Sequence, residues 1–327
     1  MAKYLLKRAI SALPIFWLGI TLTFLIVHLA PGSPLDKWLT PTLSAETRAI
    51  LTERFGLDKA LPHRYLFWLE RVVVHGDFGC SFASGEPVMK LIRRTLPDSM
   101  MLAGLGCLMA LVVAMSASLV TIFRPRSVSD QLINLLMLVL FAIPTFWLGL
   151  MLLRLFSIGT GWLPAAGRQS WYYPELTGWQ QGVDLIRHLV LPVMTLALPL
   201  AAVFYRYLRA EVLRIRESEF AVAARIRGLS PLRIGFSYIL RNALLPLLNI
   251  LGLTFPALFS GALLVEIVFG WPGMGRLLYD AVLGRDYPVI MAGNVIAFAA
   301  VIAGNLLADL LLVLADPRLH HPDRRAS

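Results

Sequence analysis

Six apolar runs, each close to the length of about 20 residues that a helix needs to cross about 30 Å of hydrocarbon, set the outer limits on what this chain can become. Their cores fall at 9–30, 99–122, 132–158, 189–208, 243–268 and 289–314. A chain of 327 residues, 57% of them hydrophobic and only 15% charged, carries more apolar surface than one soluble core of that size could hide. Lipid is therefore the expected solvent, and the expected fold is all-α and polytopic with six transmembrane helices. Lys3, Lys7 and Arg8 ahead of the first run imitate a signal peptide. That run is too long for one, and His28 stands where cleavage before Pro31 would need a small residue, so it reads as a retained span.

The formal charge of +10 would point to nucleic acid if the basic residues formed one face with stacking aromatics beside it. They lie instead in alternate gaps between apolar runs. Over the termini and short loops, sixteen Lys and Arg fall on one side, from Lys3 through Arg124, Arg126 and the stretch Arg206 to Arg241 to Arg325. Only four fall on the other, Arg168, Arg187, Arg276 and Arg285. The positive-inside rule then places both termini in the cytoplasm. The organisation expected is a tail and first helix at 1–30, an extracytoplasmic cap segment at 31–98, a transmembrane core at 99–315 with a cytoplasmic loop at 205–241, and a cytoplasmic tail at 316–327. The cap holds two helical-looking pieces, 44–55 and 63–74, broken by Gly56 and Pro62. The segment 159–187, rich in Trp, Tyr and Gly, is external as well, and its aromatics mark the membrane interface. Two cysteines, Cys80 and Cys107, support neither a disulfide framework nor a zinc site.

The cytoplasmic loop contains a short helix with both ends specified. Ser218 is placed as N-cap, Glu219 complements the dipole in the first turn, Arg225 and Arg227 close the last turn, and Gly228 is placed for the left-handed C′ position. Ser230 and Pro231 then open a second helix. A helix over 219–227 is shorter than the roughly 12 residues that make an isolated helix even marginal, so a partner is expected to hold it. The small side chains of Ala221, Ala223 and Ala224 would let another protein's groove approach the backbone. A surface helix packed on neighbouring loops fits the same physics equally well.

The run Glu219-Phe220-x-x-x-Ala224-Arg225-x-Arg227-Gly228, followed by Arg241-Asn242-Ala243-Leu244-x-Pro246, resembles the coupling loop of permeases in the dipeptide, oligopeptide and nickel branch of ABC importers. Further matches stand in order along the chain: Tyr4-x-x-Lys7-Arg8, Gly76-Asp77-Phe78-Gly79-x-Ser81, Ile143-Pro144-x-Phe146-Trp147-Leu148, Trp162-Leu163-Pro164, Trp271-Pro272-Gly273-Met274-Gly275-Arg276, Arg285-Asp286-Tyr287-Pro288, and Asp309 with Asp316-Pro317-Arg318. The resemblance implies a type I ABC importer permease in a bacterial inner membrane. It implies that Glu219, Ala223, Ala224, Arg225 and Gly228 couple to an ATPase, and that ATP and Mg are bound by partner ATPase subunits, this chain having no cofactor of its own. It implies two ATPase subunits, a second, homologous permease and an extracytoplasmic binding protein as partners, and short peptides as cargo, with nickel or a metal chelate as the alternative. The wider superfamily often has Glu where Ala223 stands.

Other signals are weaker. Gly270 and Gly275 have the spacing of a phosphate loop, but Arg276 and Leu277 stand where Lys and Ser or Thr are needed. Trp271, Pro272, Gly273 and Gly275, with Asp286, read instead as a tight external turn that could belong to a gate. Pro144, Pro192, Pro199, Pro246 and Pro256 can kink spans three to five, for alternating access or for packing alone. Arg154, late in the third span, fits snorkelling to the outer interface better than a pathway role, and Asp309 fits a structural hydrogen bond better than a proton relay. No two histidines have the i, i+4 spacing of a helical metal site. A secondary, ion-coupled transporter is the rival from another class. It would carry several mid-membrane carboxylates and need no docking helix. The topology makes Cys80 external: a membrane-impermeant maleimide is expected to label it in intact spheroplasts, with Cys80→Ser as control, and labelling only after lysis would invert the assignment.

Overall fold

The computed structural model describes residues 2–30 and 60–315. The helical piece expected at 44–55 and the tail at 316–327 lie outside the described residues. The helices are α1 (Ala2–Leu29), α2 (Leu61–His75), α3 (Val88–Phe123), α4 (Val128–Ala142), α5 (Thr145–Leu153), α6 (Gly178–Arg216), α7 (Glu219–Ile226), α8 (Arg241–Val268), α9 (Met274–Gly284) and α10 (Tyr287–Ala315). A π-helical turn, Arg154–Gly159, extends α5, and another, Ile234–Leu240, leads into α8. Among the described residues, Cys80 and Pro87 form an isolated β-bridge in an otherwise helical chain.

Among the described residues, four helices are long and apolar enough to cross a membrane: Ile10–Leu29 of α1, α3, α6, and Tyr287–Leu307 of α10. The limbs Val128–Ala142 and Thr145–Gly159 make a fifth if they count as one span. They meet at a bend of 102° at Pro144, one of the prolines expected to kink the spans, so the third span expected at 132–158 is two limbs. The cause is local: Pro144 excludes the helical region for the residue before it, and Ile143 is extended, with ψ 128°. Pro97, Pro192 and Pro199, by contrast, lie inside unbroken α3 and α6. α3 begins well before the expected 99, and its first turns pack Val88, Leu91 and Ile92 against Met274, Ala281 and Tyr287. The expected span at 243–268 is α8, of 28 residues.

α3 and α6 pack along one another at the centre. Their contact is built on Ala110, Ala114, Ala197, Ala201 and Ala202, all fully buried, and small residues are what lets two helix backbones approach when lipid offers no hydrophobic drive. α4 and α5 lie on α6, α8 lies between α6 and α10, and α1 lies on α10. The outward face of α4 shows Leu132, Leu135, Leu136 and Val139, as a lipid-facing surface requires.

α1 is pinned to α10 at both ends. Arg8 meets Asp309 at 2.5 Å at one end. At the other, His28 stacks on Phe24 and leans on Tyr287, while α2 closes over with Tyr65 donating to or accepting from Thr21 at 2.7 Å. Asp309 thus has the structural role expected of it, and Arg154 is exposed at the start of its π-turn.

The ends of α3, α4 and α6 on the basic side meet at one carboxylate, Asp130, which is fully buried. It accepts from the Thr121 hydroxyl at 2.7 Å, the Arg126 N–H at 2.9 Å and the Arg209 guanidinium at 2.9 Å. Removing one partner of a buried, hydrogen-bonded ion pair costs about 3 to 5 kcal/mol, because the other charge stays behind. Asp130→Ala is therefore expected to lower the melting temperature of the detergent-purified protein by several degrees. An unchanged melting curve would show that Asp130 does not bind these helices together.

Candidate functional site

α7 projects from the basic end of the bundle, and its C-terminus is built as the sequence predicts. Gly228 has φ +73°, its N–H donates to the Arg225 carbonyl at 2.9 Å, and the Leu229 N–H donates to the Ala224 carbonyl at 3.3 Å. Together these bonds form a Schellman motif. Ser218 occupies the N-cap position, but its hydroxyl donates backward to the Ile215 carbonyl at 2.5 Å, so the expected side-chain cap is corrected. Ser230 does cap, accepting from the Arg233 N–H at 3.4 Å, with Pro231 in the first position. The second helix expected there is not separate: Pro231–Arg233 passes through the π-turn straight into α8. Gly235 in that turn faces the end of α3, where a Cβ would come within 2.7 Å of the Phe123 ring.

The side chains of α7 divide differently from expectation. Ala221 and Ala224 are 0% and 3% exposed, and Ala224 packs into this chain's own core with Ile122, Val212, Ile215 and Ile234. Those two alanines are buried within this chain, and their burial, the Schellman turn and a bond from Arg225 to the carbonyl of Arg216 support the shape of the helix from inside the chain. What remains uncovered by the chain is a mixed surface that carries three large apolar side chains among charged ones. Phe220, Val222 and Ile226 are exposed, Ile226 at 82%, with Leu232 and Phe236 nearby in sequence. Of the residues read as coupling, Glu219, Arg225 and Gly228 are exposed, Ala223 is half-buried and Ala224 is buried.

At the opposite end, the residues read as an external turn split into two places. Trp271, Pro272, Gly273 and Gly275 wrap a carboxylate that sequence reasoning missed, Glu266, which is fully buried at the end of α8. Glu266 accepts from the Ser99 hydroxyl at 2.5 Å and the Arg276 N–H at 2.9 Å, in the first turn of α9. Ser99 in turn accepts from the Met274 N–H at 2.7 Å. A Cβ on Gly273 would collide with the Glu266 carboxyl, and one on Gly275 would lie 2.7 Å from Leu263 Cα, so both positions admit only glycine without a shift. Trp271, also fully buried, donates to the Asp98 carbonyl at 3.2 Å, and Asp98 pairs with Arg168 at 3.1 Å. The signal for Glu266 was present: it is a charge inside an apolar run, the kind of residue that needs a named partner in a membrane.

Asp286 lies past the far end of α9, away from that turn. It is 2% exposed and accepts from the Ser81 hydroxyl at 2.5 Å and the N–H groups of Phe82 at 3.0 Å and Ala83 at 3.2 Å. It therefore ties the connector between α2 and α3 to the junction of α9 with α10. Beside it, Arg71 and the Gly79 N–H bond Asp77 and hold its carboxyl below the usual carboxylate range. Cys80 is exposed in the same connector.

Among the described residues no group of three or more His, Cys, Asp or Glu side chains is placed to hold a metal ion. A helical bundle with long apolar helices and a short helix carrying exposed Phe220, Val222 and Ile226 at its basic end has the build of a membrane transport subunit. The chain belongs to the family described as binding-protein-dependent transport system inner membrane component, which matches residues 88–321, and the N-terminal component of the same systems matches residues 1–103. It is 38% identical over 323 residues to the oligopeptide transport system permease protein AppB of Bacillus subtilis (strain 168), covering 98% of this chain and 100% of that one. It is 33% identical over 340 residues to the di/tripeptide transport system permease protein DppB of Pseudomonas aeruginosa (strain UCBPP-PA14), covering 98% and 99%. It is 32% identical over 321 residues to the glutathione transport system permease protein GsiC of Escherichia coli (strain K12), covering 98% and 100%. The chain is thus an ABC importer permease subunit.

Ser99→Ala removes both a donor to Glu266 and an acceptor for α9 while leaving the carboxylate buried. Leaving such groups unsatisfied costs about 1 to 3 kcal/mol each, so the variant is expected to melt several degrees lower in detergent. Ser99→Thr, which keeps the hydroxyl, is expected to recover most of the loss, and equal melting of both variants and the wild type would overturn this reading of the junction.

Proposed function

We propose that this chain imports short peptides across a bacterial inner membrane as one of two homologous permease subunits, spanning six times with both termini cytoplasmic. An extracytoplasmic binding protein delivers the cargo, and two partner ATPase subunits bind ATP and Mg. The observation that carries the reading is the exposed apolar face of α7, Phe220, Val222 and Ile226, on a helix that this chain already holds in shape. A preformed helix pays little ordering entropy on docking, so an ATPase groove can receive it as a rigid lever. Glu219, Ala223, Arg225 and Gly228 border that face, and Ala224 anchors it from behind. The outer turn at Trp271, Pro272, Gly273 and Gly275 and the Asp286 fastening act as fixed junctions on the external side. Relatives named for oligopeptides, di/tripeptides and glutathione favour peptide cargo over nickel or a metal chelate.

A Cβ at Gly228 would meet nothing within 4 Å, so the strain of a side chain there is confined to the left-handed backbone, about 1 to 2 kcal/mol. Gly228→Asp is accordingly expected to reach the membrane at near-normal level yet to lose at least tenfold in peptide uptake, with reduced co-purification of the ATPase. Normal uptake and normal co-purification in this variant would remove α7 as the docking element.

A further inference from the structure

Two guanidinium groups at the basic end bond main-chain carbonyls rather than carboxylates. Arg225, in the last turn of α7, donates from Nη2 to the carbonyl of Arg216 at 2.9 Å. Arg216, the last residue of α6, donates from Nη1 to the carbonyl of Ile122 at 2.5 Å. Ile122 is the last residue but one of α3, so both acceptors belong to the final turn of a long helix, where the helix itself supplies no further N–H. A cation is favoured there by the helix dipole and makes a charge-assisted bond.

The two bonds run in series, because Arg216 accepts with its backbone and donates with its side chain. Beside them a cleft of about 370 Å³, lined by Ile122, Phe123, Arg216, Arg225, Ile234 and Gly235 among others, lies between the end of α7 and the end of α3. Loose space of that kind absorbs small displacements unless something fastened crosses it. We propose that Arg225 and Arg216 are positioning residues that form a relay, carrying movement of α7 first to the end of α6 and then to the end of α3, the two helices at the centre of the bundle. The relay rests on the reading of α7 as the element that docks an ATPase.

The test uses the whole complex, with its second permease, ATPase subunits and binding protein, in proteoliposomes. Radiolabelled trialanine uptake and ATP hydrolysis are measured together, and ATPase co-purification is measured separately. Arg216→Ala is expected to keep co-purification within twofold of wild type but to transport at least fivefold less peptide per ATP hydrolysed. The double variant with Arg225→Ala is expected to be no worse in that ratio than the worse single variant, because the links act in series. A merely structural role would lower the amount of complex and leave the ratio unchanged, and an unchanged ratio overturns the relay. Should Arg216→Ala fail to assemble, Arg216→Lys decides, since it keeps the charge but loses the planar fork: at least a twofold fall in peptide per ATP is expected, and a wild-type ratio overturns the proposal. Failure of wild type to retain an ATPase sinks the docking reading and the relay with it, whereas retained ATPase with an intact ratio in the variants sinks the relay alone.

Discussion

Three buried carboxylates hold this bundle in register, and each is satisfied in the same way. Asp130, Glu266 and Asp286 accept a hydroxyl from a residue of another element, Thr121, Ser99 and Ser81, together with main-chain N–H groups of a neighbouring turn. In a medium without water a bare carboxylate is prohibitively costly, so these donors cannot separate cheaply. The arrangement makes α3 the spine: Ser99 fastens it to α8 and α9, and Thr121 fastens it to α4 and α6. Those residues are 22 positions apart, which at about 1.5 Å per residue is about 33 Å, close to the thickness of the hydrocarbon core. The two fastenings are thus separated by about the thickness of the hydrocarbon core, and the length of α3 between them packs largely through small and apolar side chains.

The arginines of the basic end serve two physical purposes. Counted as charges they make the bias between the two ends of the bundle from which the positive-inside rule reads an orientation. Placed individually, Arg209 pairs with the buried carboxylate of Asp130, and two others close hydrogen-bonding deficits that helix ends create: Arg216 on the end of α3 and Arg225 on the end of α6. Such a surface is rigid behind and apolar in front, which suits a lever that a partner pushes on. The opposite end is joined differently, by glycines pressed against Glu266 and by Asp286 gripping the 81–83 turn, so the two ends of the molecule are built from different materials for different tasks.

Much of the loop around α7 was legible. Gly228 in the left-handed position, Ser230 as a cap and Pro231 in a first turn are local demands of the backbone, and a few neighbouring residues suffice to state them. The facing of α7 was not legible. Ala221 and Ala224 are small, and small residues suit a close approach from either side; both are buried within this chain, Ala224 in the cluster of Ile122, Val212 and Ile215. Ser218 went astray for a similar reason, since its hydroxyl had two acceptable uses and the end of α6 lay within reach.

Apolar run length, the charge bias between gaps and the order of the short motifs determined by themselves that this chain is a helical membrane permease, because the bilayer imposes length and polarity on each segment separately. Tertiary structure alone decided that the third run is two limbs at 102°, that Glu266 is the centre of the junction of α3, α8 and α9, and that Arg225, Arg216 and Ile122 stand in line. The physical reason is distance along the chain. A carboxylate or a helix-end carbonyl is satisfied by whatever donor the fold brings to it, and Ser99 lies 167 residues from Glu266 and Arg216 94 residues from Ile122, separations that no local pattern encodes.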